Sequence, residues 1–200
     1  MTESKGLKAK FDRFTAPLRQ ATKGQLAKWF VLSAACCGVT IAGLWYLGDR
    51  FEVGLDRQKS HCVEGDVFLI DKYDKTPVKD ALFAYRAGKK LAKAFPENRM
   101  MGKYVRAVEG DTVSINDEEE IFVNGRFVAQ GLYWLHDKET HTVDPKLLKK
   151  FTGKKTLKKG EYWMMGTSLK SFDSRYWGVI NQDQIIGRMY ALSVKILPNR

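Results

Sequence analysis

Polar and apolar positions divide the chain into three stretches of different character. Residues 1–28 are polar and basic, residues 29–48 read WFVLSAACCGVTIAGLWYLG without a charge, and residues 49–200 alternate short apolar runs with turns. Twenty uncharged residues at helical rise match a hydrocarbon core of about 30 Å. Trp29 at one end and Trp45 with Tyr46 at the other sit where interfacial aromatic belts sit. A cleaved signal peptide would carry a shorter apolar run and a small-residue exit, whereas this run leaves through WYLGDRFEV. The pattern predicts one transmembrane helix over 29–48, a basic arm over 1–28 and a separate domain over 49–200.

That domain is predicted to be mainly β. VFLID (67–71) is an apolar run bounded by Gly65-Asp66 and the turn at 74–77. DALFAYRAG (80–88) fits either an amphipathic helix or a strand, and its brevity, aromatics and closing glycine favour the strand. KYVRAVEGDTVSI alternates on both sides of a turn at Glu109-Gly110-Asp111. IFVNGRFVAQ reads as a hairpin, because Asn124-Gly125 tolerates the positive φ angles of a type I′ turn. EYWMMG and IIGRMYALSVKIL bring the count to at least six strands. Residues 132–160 break the pattern, with seven lysines between Lys146 and Lys159, and are expected to form a solvated loop with one helical turn after Pro145. The acidic run 117–120 (DEEE) is expected to be a solvated approach to the hairpin.

Apolar and charged fractions of 44% and 28% exclude wholesale disorder, and a net charge of +11 calls for an acidic partner. No aromatic-interleaved basic motif and no zinc-finger spacing occurs, so nucleic acid is not the expected partner. The lipid bilayer is, with contact between the lysine-rich run and anionic headgroups as a further expectation. Lys5, Lys8, Lys10, Arg13, Arg19, Lys23 and Lys28 outnumber Glu3 and Asp12 in the arm. Positive charge resists translocation. The expected arrangement is a single pass through a bacterial inner membrane, with the arm cytoplasmic and residues 49–200 periplasmic.

Candidate chemistry is sparse. His61, His136 and His141 lack metal-ligand spacing, so surface roles are expected, and no metal or cofactor is. Cys36 and Cys37 fall within the apolar run, leaving Cys62 as the single cysteine of the external domain, either a small buried hydrophobe or a reactive thiol. Ser60 lies two residues before it. A lysine can serve either nucleophile as a general base only when neutral, which requires desolvation. Lys103 opens a strand at the edge of an apolar segment, where burial is possible but solvation is the usual state.

Two blocks change these odds. GKYVRAVEGDTVSI (102–115) resembles the lysine block of bacterial type I signal peptidases, family S26, and MGTSLKSFDSRYWGVINQDQIIGRMYAL (165–192) is similar to that family's last block. The nearest resemblance is to the TraF-type peptidases of conjugative transfer. It implies a signal-peptidase-like β fold, Lys103 as general base, Ser171 as its supporting hydroxyl, and Asp173 with Arg175 as a structural ion pair near the site. Laid ungapped on the family's S-L-P-x-x-x-F-L-I block, CVEGDVFLI puts Cys62 at the nucleophile and Glu64 where a proline is usual. Ser60 is the rival nucleophile, reached by a two-residue shift. Gly166-Thr167-Ser168 departs from the usual Gly-Asp-Asn opening. The implied substrate is a pilin or other exported precursor, cleaved or circularised. A catalytically silent scaffold of pilus assembly and a housekeeping leader peptidase remain the alternatives.

Overall fold

The computed structural model describes residues 21–56, 62–88 and 99–192. The chain divides into two compact units, Met1–Asp49 and Arg50–Arg200. In the first, helix α1 (Lys23–Arg50) extends the expected apolar span at both ends. Thr22 and Gln25 cap its start reciprocally: the Gln25 N–H donates to Thr22 Oγ1, and the Thr22 N–H donates to Gln25 Oε1. None of its residues is buried, and it is long and apolar enough to cross a bilayer.

The second unit is mainly β. Its strands are β1 (Phe51–Leu55), β2 (Val67–Asp71), β3 (Leu82–Arg86), β4 (Met100–Ala107), β5 (Thr112–Ile115), β6 (Glu120–Val123), β7 (Arg126–Gln130), β8 (Gly153–Thr156), β9 (Glu161–Met165), β10 (Ile180–Asn181) and β11 (Ile185–Leu192). Two short helices, α2 (Pro145–Leu148) and α3 (Ser174–Trp177), interrupt them. Seven strands form one antiparallel sheet in the order β1-β2-β11-β3-β4-β9-β10, and the four between β4 and β9 form a second in the order β7-β6-β5-β8.

Every strand read from the sequence has a counterpart among the described residues, though the 193–197 end of IIGRMYALSVKIL lies outside them. Asn124 and Gly125 adopt φ angles of 53° and 75°, as the type I′ hairpin requires. Strand β3 settles the ambiguity of 80–88. Leu82 and Ala84 pack into one core cluster while Phe83 and Tyr85 pack into another, so the strand is apolar on both faces because it lies inside the larger sheet. The single helical turn after Pro145 is also present, with Asp144 capping it.

The expectation of a plain solvated loop over 132–160 is corrected at Gly153–Thr156, which forms β8 on the edge of the smaller sheet. All four of its residues are exposed, so no apolar alternation announces it. Its two lysines suit a sheet edge, where charge discourages pairing with another chain. The acidic run is also more structured than expected. Glu119 accepts the Leu132 N–H at 2.7 Å and Glu120 accepts from the Asn116 side chain at 2.7 Å.

Candidate active site

Lys103 sits within β4 rather than at its exposed edge and is 5% exposed. Strand pairing sets it opposite Phe83, in register with a core cluster that includes Tyr85 and Val105. Its Nζ donates to Ser171 Oγ at 2.9 Å, a buried bond between residues 68 positions apart.

The loop between β9 and α3 presents Ser171, and a buried ion pair shapes that loop. Asp173 and Arg175 bond at 2.8 Å and are almost wholly enclosed. Asp173 Oδ1 accepts from Arg175 N and Nε, and Oδ2 accepts from Gly166 N and Arg175 Nη2. Arg175 spends its remaining donors on the carbonyls of Gly131, Ser168 and Ser171. Burial works against the guanidinium charge, but the Asp173 bonds outweigh it and raise the Arg175 pKa. The first turn of α3 adds Ser174, whose hydroxyl accepts the Met164 N–H at 2.9 Å.

Cys62 reaches the same place from the segment between β1 and β2. Its carbonyl accepts the Thr167 N–H at 2.9 Å, fastening it to the start of the Ser171 loop. Gly166 allows that approach. A Cβ there would lie 2.6 Å from the Cys62 carbonyl oxygen and would collide with the Ser171 side chain. Cys62 and Lys103 both line a cleft of about 730 Å³, walled by apolar residues such as Val63, Met101, Phe172 and Met189. The structure thus brings Cys62 and Lys103 to one cleft, with Ser171 bonded to Lys103 and the Asp173–Arg175 pair buried in the loop that carries Ser171. Ser60 and His61 lie outside the described residues.

Trp134, 54% exposed, forms part of the cleft wall and has no precedent in the sequence reading. It sits on a 3₁₀ turn (Tyr133–Leu135) after β7, and its indole N–H donates to the Lys170 carbonyl at 2.9 Å. Behind it, His136 is corrected from a plain surface residue to a half-buried anchor. Nε2 meets Glu119 Oε2 at 2.9 Å and Nδ1 meets the His141 carbonyl at 3.0 Å. Glu119 is chiefly responsible for a His136 pKa above the usual 6.5. A raised folded-state value means that the contact stabilises fully below about pH 6.5 and is lost as pH climbs through the raised value. His136→Gln is therefore expected to lower the melting temperature clearly near pH 5.5 and little near pH 9, which paired melts at about these two values would show. Equal losses at both would remove His136 from the account.

The closing turn of the lysine block is held just as firmly. Asp111 accepts from Lys79 Nζ and Asn124 Nδ2 at 2.7 Å each and from Val108 N at 2.9 Å. Burial alone would raise its pKa, but these bonds outweigh it and hold the carboxyl below its ordinary range.

A family model described as "Signal peptidase, peptidase S26" matches residues 26–193, most of the chain. The chain belongs to the S26 signal peptidase family. Among individual S26 proteins it is 32% identical over 97 residues to Signal peptidase I V of Bacillus subtilis (strain 168), covering 46% of this chain. The match spans 56% of that relative's length. A signal peptidase I crystal structure from Enterococcus faecalis V583 aligns at a TM-score of 0.36 and 18% identity, over 57% of this chain and 97% of that one. The mainly β architecture of this S26 member therefore rests on the strand topology above.

Within it, the Lys103–Ser171 bond has a measurable consequence. Removing a partner from a buried polar group costs about 1–3 kcal/mol. Ser171→Ala is expected to lower the unfolding free energy of the β unit by about that amount, as denaturant unfolding of both proteins would report.

Proposed function

We propose that this chain is a membrane-anchored peptidase that processes exported precursors by a Cys62–Lys103 dyad, with a pilin precursor of conjugative transfer as its substrate. The observation that carries the reading is the enclosed Lys103 amine, bonded to Ser171 in a cleft that Cys62 also lines. α1 would anchor the chain in a single pass, and the basic arm favours a cytoplasmic N-terminal side with the β unit periplasmic. The lysine-rich run on and around β8 would face anionic headgroups.

The steps follow from thiol and amine chemistry. Cys62 Sγ attacks the scissile carbonyl carbon while Lys103, acting as general base, takes the thiol proton. Collapse of the tetrahedral intermediate breaks the C–N bond, and Lys103 returns the proton to the departing amine. Lys103 then activates a water, which adds to the thioester, regenerates the thiol and frees the acid. An amine of the substrate attacking in place of water would close a new peptide bond and give a circular product.

The test is the mass of a co-expressed pilin precursor with wild type, Cys62→Ala and Ser60→Ala. Wild type and Ser60→Ala are expected to yield one processed mass, shorter by the leader or lacking a further water if circular. Cys62→Ala is expected to leave the precursor whole. Loss in Ser60→Ala alone would transfer the role to the serine, and an intact precursor with wild type would favour a silent scaffold.

A further inference from the structure

Lys170 is exposed, yet it is held at three points. Its N–H donates to Ser168 Oγ at 3.2 Å, and its carbonyl accepts the Trp134 indole N–H at 2.9 Å. Its Nζ lies 5.1 Å from the centre of the Tyr133 ring. An aromatic face orders an ammonium without neutralising it. Lys79 and Lys155 hold carboxylates at 2.7 and 3.0 Å, whereas among the described residues Lys170 makes no ion pair.

Its place gives that charge a use. Lys170 lines the same cleft as Cys62 and Lys103. The next residue, Ser171, bonds Lys103, and Thr167 of the same loop bonds the Cys62 carbonyl. The charged residues of the lining are Arg99, Lys103 and Lys170 against Asp56 alone. Lys103 is committed to Ser171 and, in the proposed dyad, to the thiol proton. Apolar walls keep part of the screening water away, and a cleft with an excess of one charge concentrates the opposite one.

We propose that Lys170 is a specificity-determining residue, which receives an acidic side chain of the precursor beside the processed bond. This rests on the reading of the cleft as the peptidase site. A carboxylate there gains a charge-assisted bond from the ammonium, while a basic side chain meets repulsion from Lys170 and Arg99. The substrate class is thereby narrowed to precursors with Asp or Glu next to the cut.

The experiment uses full chains in detergent micelles and two thiol reagents of nearly one shape. Iodoacetate is a carboxylate, and iodoacetamide is its neutral amide. Peptide mass separates Cys62 from Cys36 and Cys37. Thiol ionisation enters both rates alike, so the ratio of iodoacetate to iodoacetamide rates at Cys62 reports the attraction of a carboxylate into the cleft. Lys170→Gln is expected to lower that ratio about three- to fivefold at low salt, the effect of one exposed ion pair, and Lys170→Glu to lower it further. Both differences should shrink at high salt, and the ratios at Cys36 and Cys37 should stay as they are. An unchanged Cys62 ratio in both variants would overturn the proposal.

The pilin precursor supplies the second arm. Once product mass has located the cut, acidic residues beside it are changed to lysine. Wild type should process this precursor more slowly, and Lys170→Glu should restore part of the loss. A cut with no acidic residue beside it, or a charge swap that restores nothing, would overturn the assignment. A precursor left whole by wild type would defeat the peptidase reading instead, and the Cys62 ratio would still decide whether Lys170 draws a carboxylate.

Discussion

Lys103→Met is expected to reduce precursor processing by at least about 10²–10⁴-fold, the range that one positioned proton-transfer group contributes. Methionine keeps an unbranched chain of similar length in a site that is 5% exposed, so packing around β4 is retained. What disappears is the cleft amine that hydrogen-bonds Ser171. Lys103→Arg tests basicity directly. A guanidinium stays protonated and cannot take up the thiol proton, so it should be as inactive as methionine. The pair of variants is read by turnover, with circular dichroism and melting on the same samples. Processing by either within about tenfold of wild type would remove Lys103 from the mechanism.

Asp173→Ala is expected to destabilise the β unit by about 3–5 kcal/mol, the cost of leaving a buried charge without its partner. That is a large share of the roughly 5–15 kcal/mol that holds a typical domain together. The basis is specific: one carboxylate receives four N–H groups, three from Arg175 and one from Gly166, with essentially no solvent to replace them. Denaturant unfolding followed by tryptophan fluorescence would measure it. Arg175→Met should be comparably severe, since it also strips the donor from the Gly131, Ser168 and Ser171 carbonyls. A loss under about 1 kcal/mol for Asp173→Ala would show that water replaces the carboxylate, against its enclosure here.

Local rules made much of the fold legible. The uncharged run announced α1, Asn124-Gly125 announced its hairpin, and Pro145 announced α2. Where residues on both faces of a strand are buried, periodicity falls silent, and so 80–88 stayed open between helix and strand until the neighbours of β3 were known. Strand β8 failed for the opposite reason: with no buried residue, it is defined only by backbone bonds to β5. Lys103, Ser171, Asp173 and Arg175 could be named because they stand in two blocks with family resemblance. Their physical relation could not, because the bond that joins Lys103 to Ser171 spans 68 positions. Trp134 carried no signal at all, because it owes its place to a turn fixed by Glu119 and His136.

The place of β11 in the larger sheet governs how the molecule can come into being. Strands β2 and β3 are consecutive in sequence yet never pair, because β11 lies between them. Each half of the sheet can begin locally, but they are joined through a strand that a growing chain supplies after the other described strands. Such late, long-range closure is slow, and until it occurs two bare strand edges stay open to wrong partners. The β1–β2 half carries the Cys62 segment, and the β3–β4–β9 half carries Lys103 and the Ser171 loop. A nascent or truncated chain lacking Ile185–Leu192 would therefore hold the Cys62 segment and the Lys103 and Ser171 segments without the strand that joins their two halves, so the proposed dyad would assemble only after β11 is made.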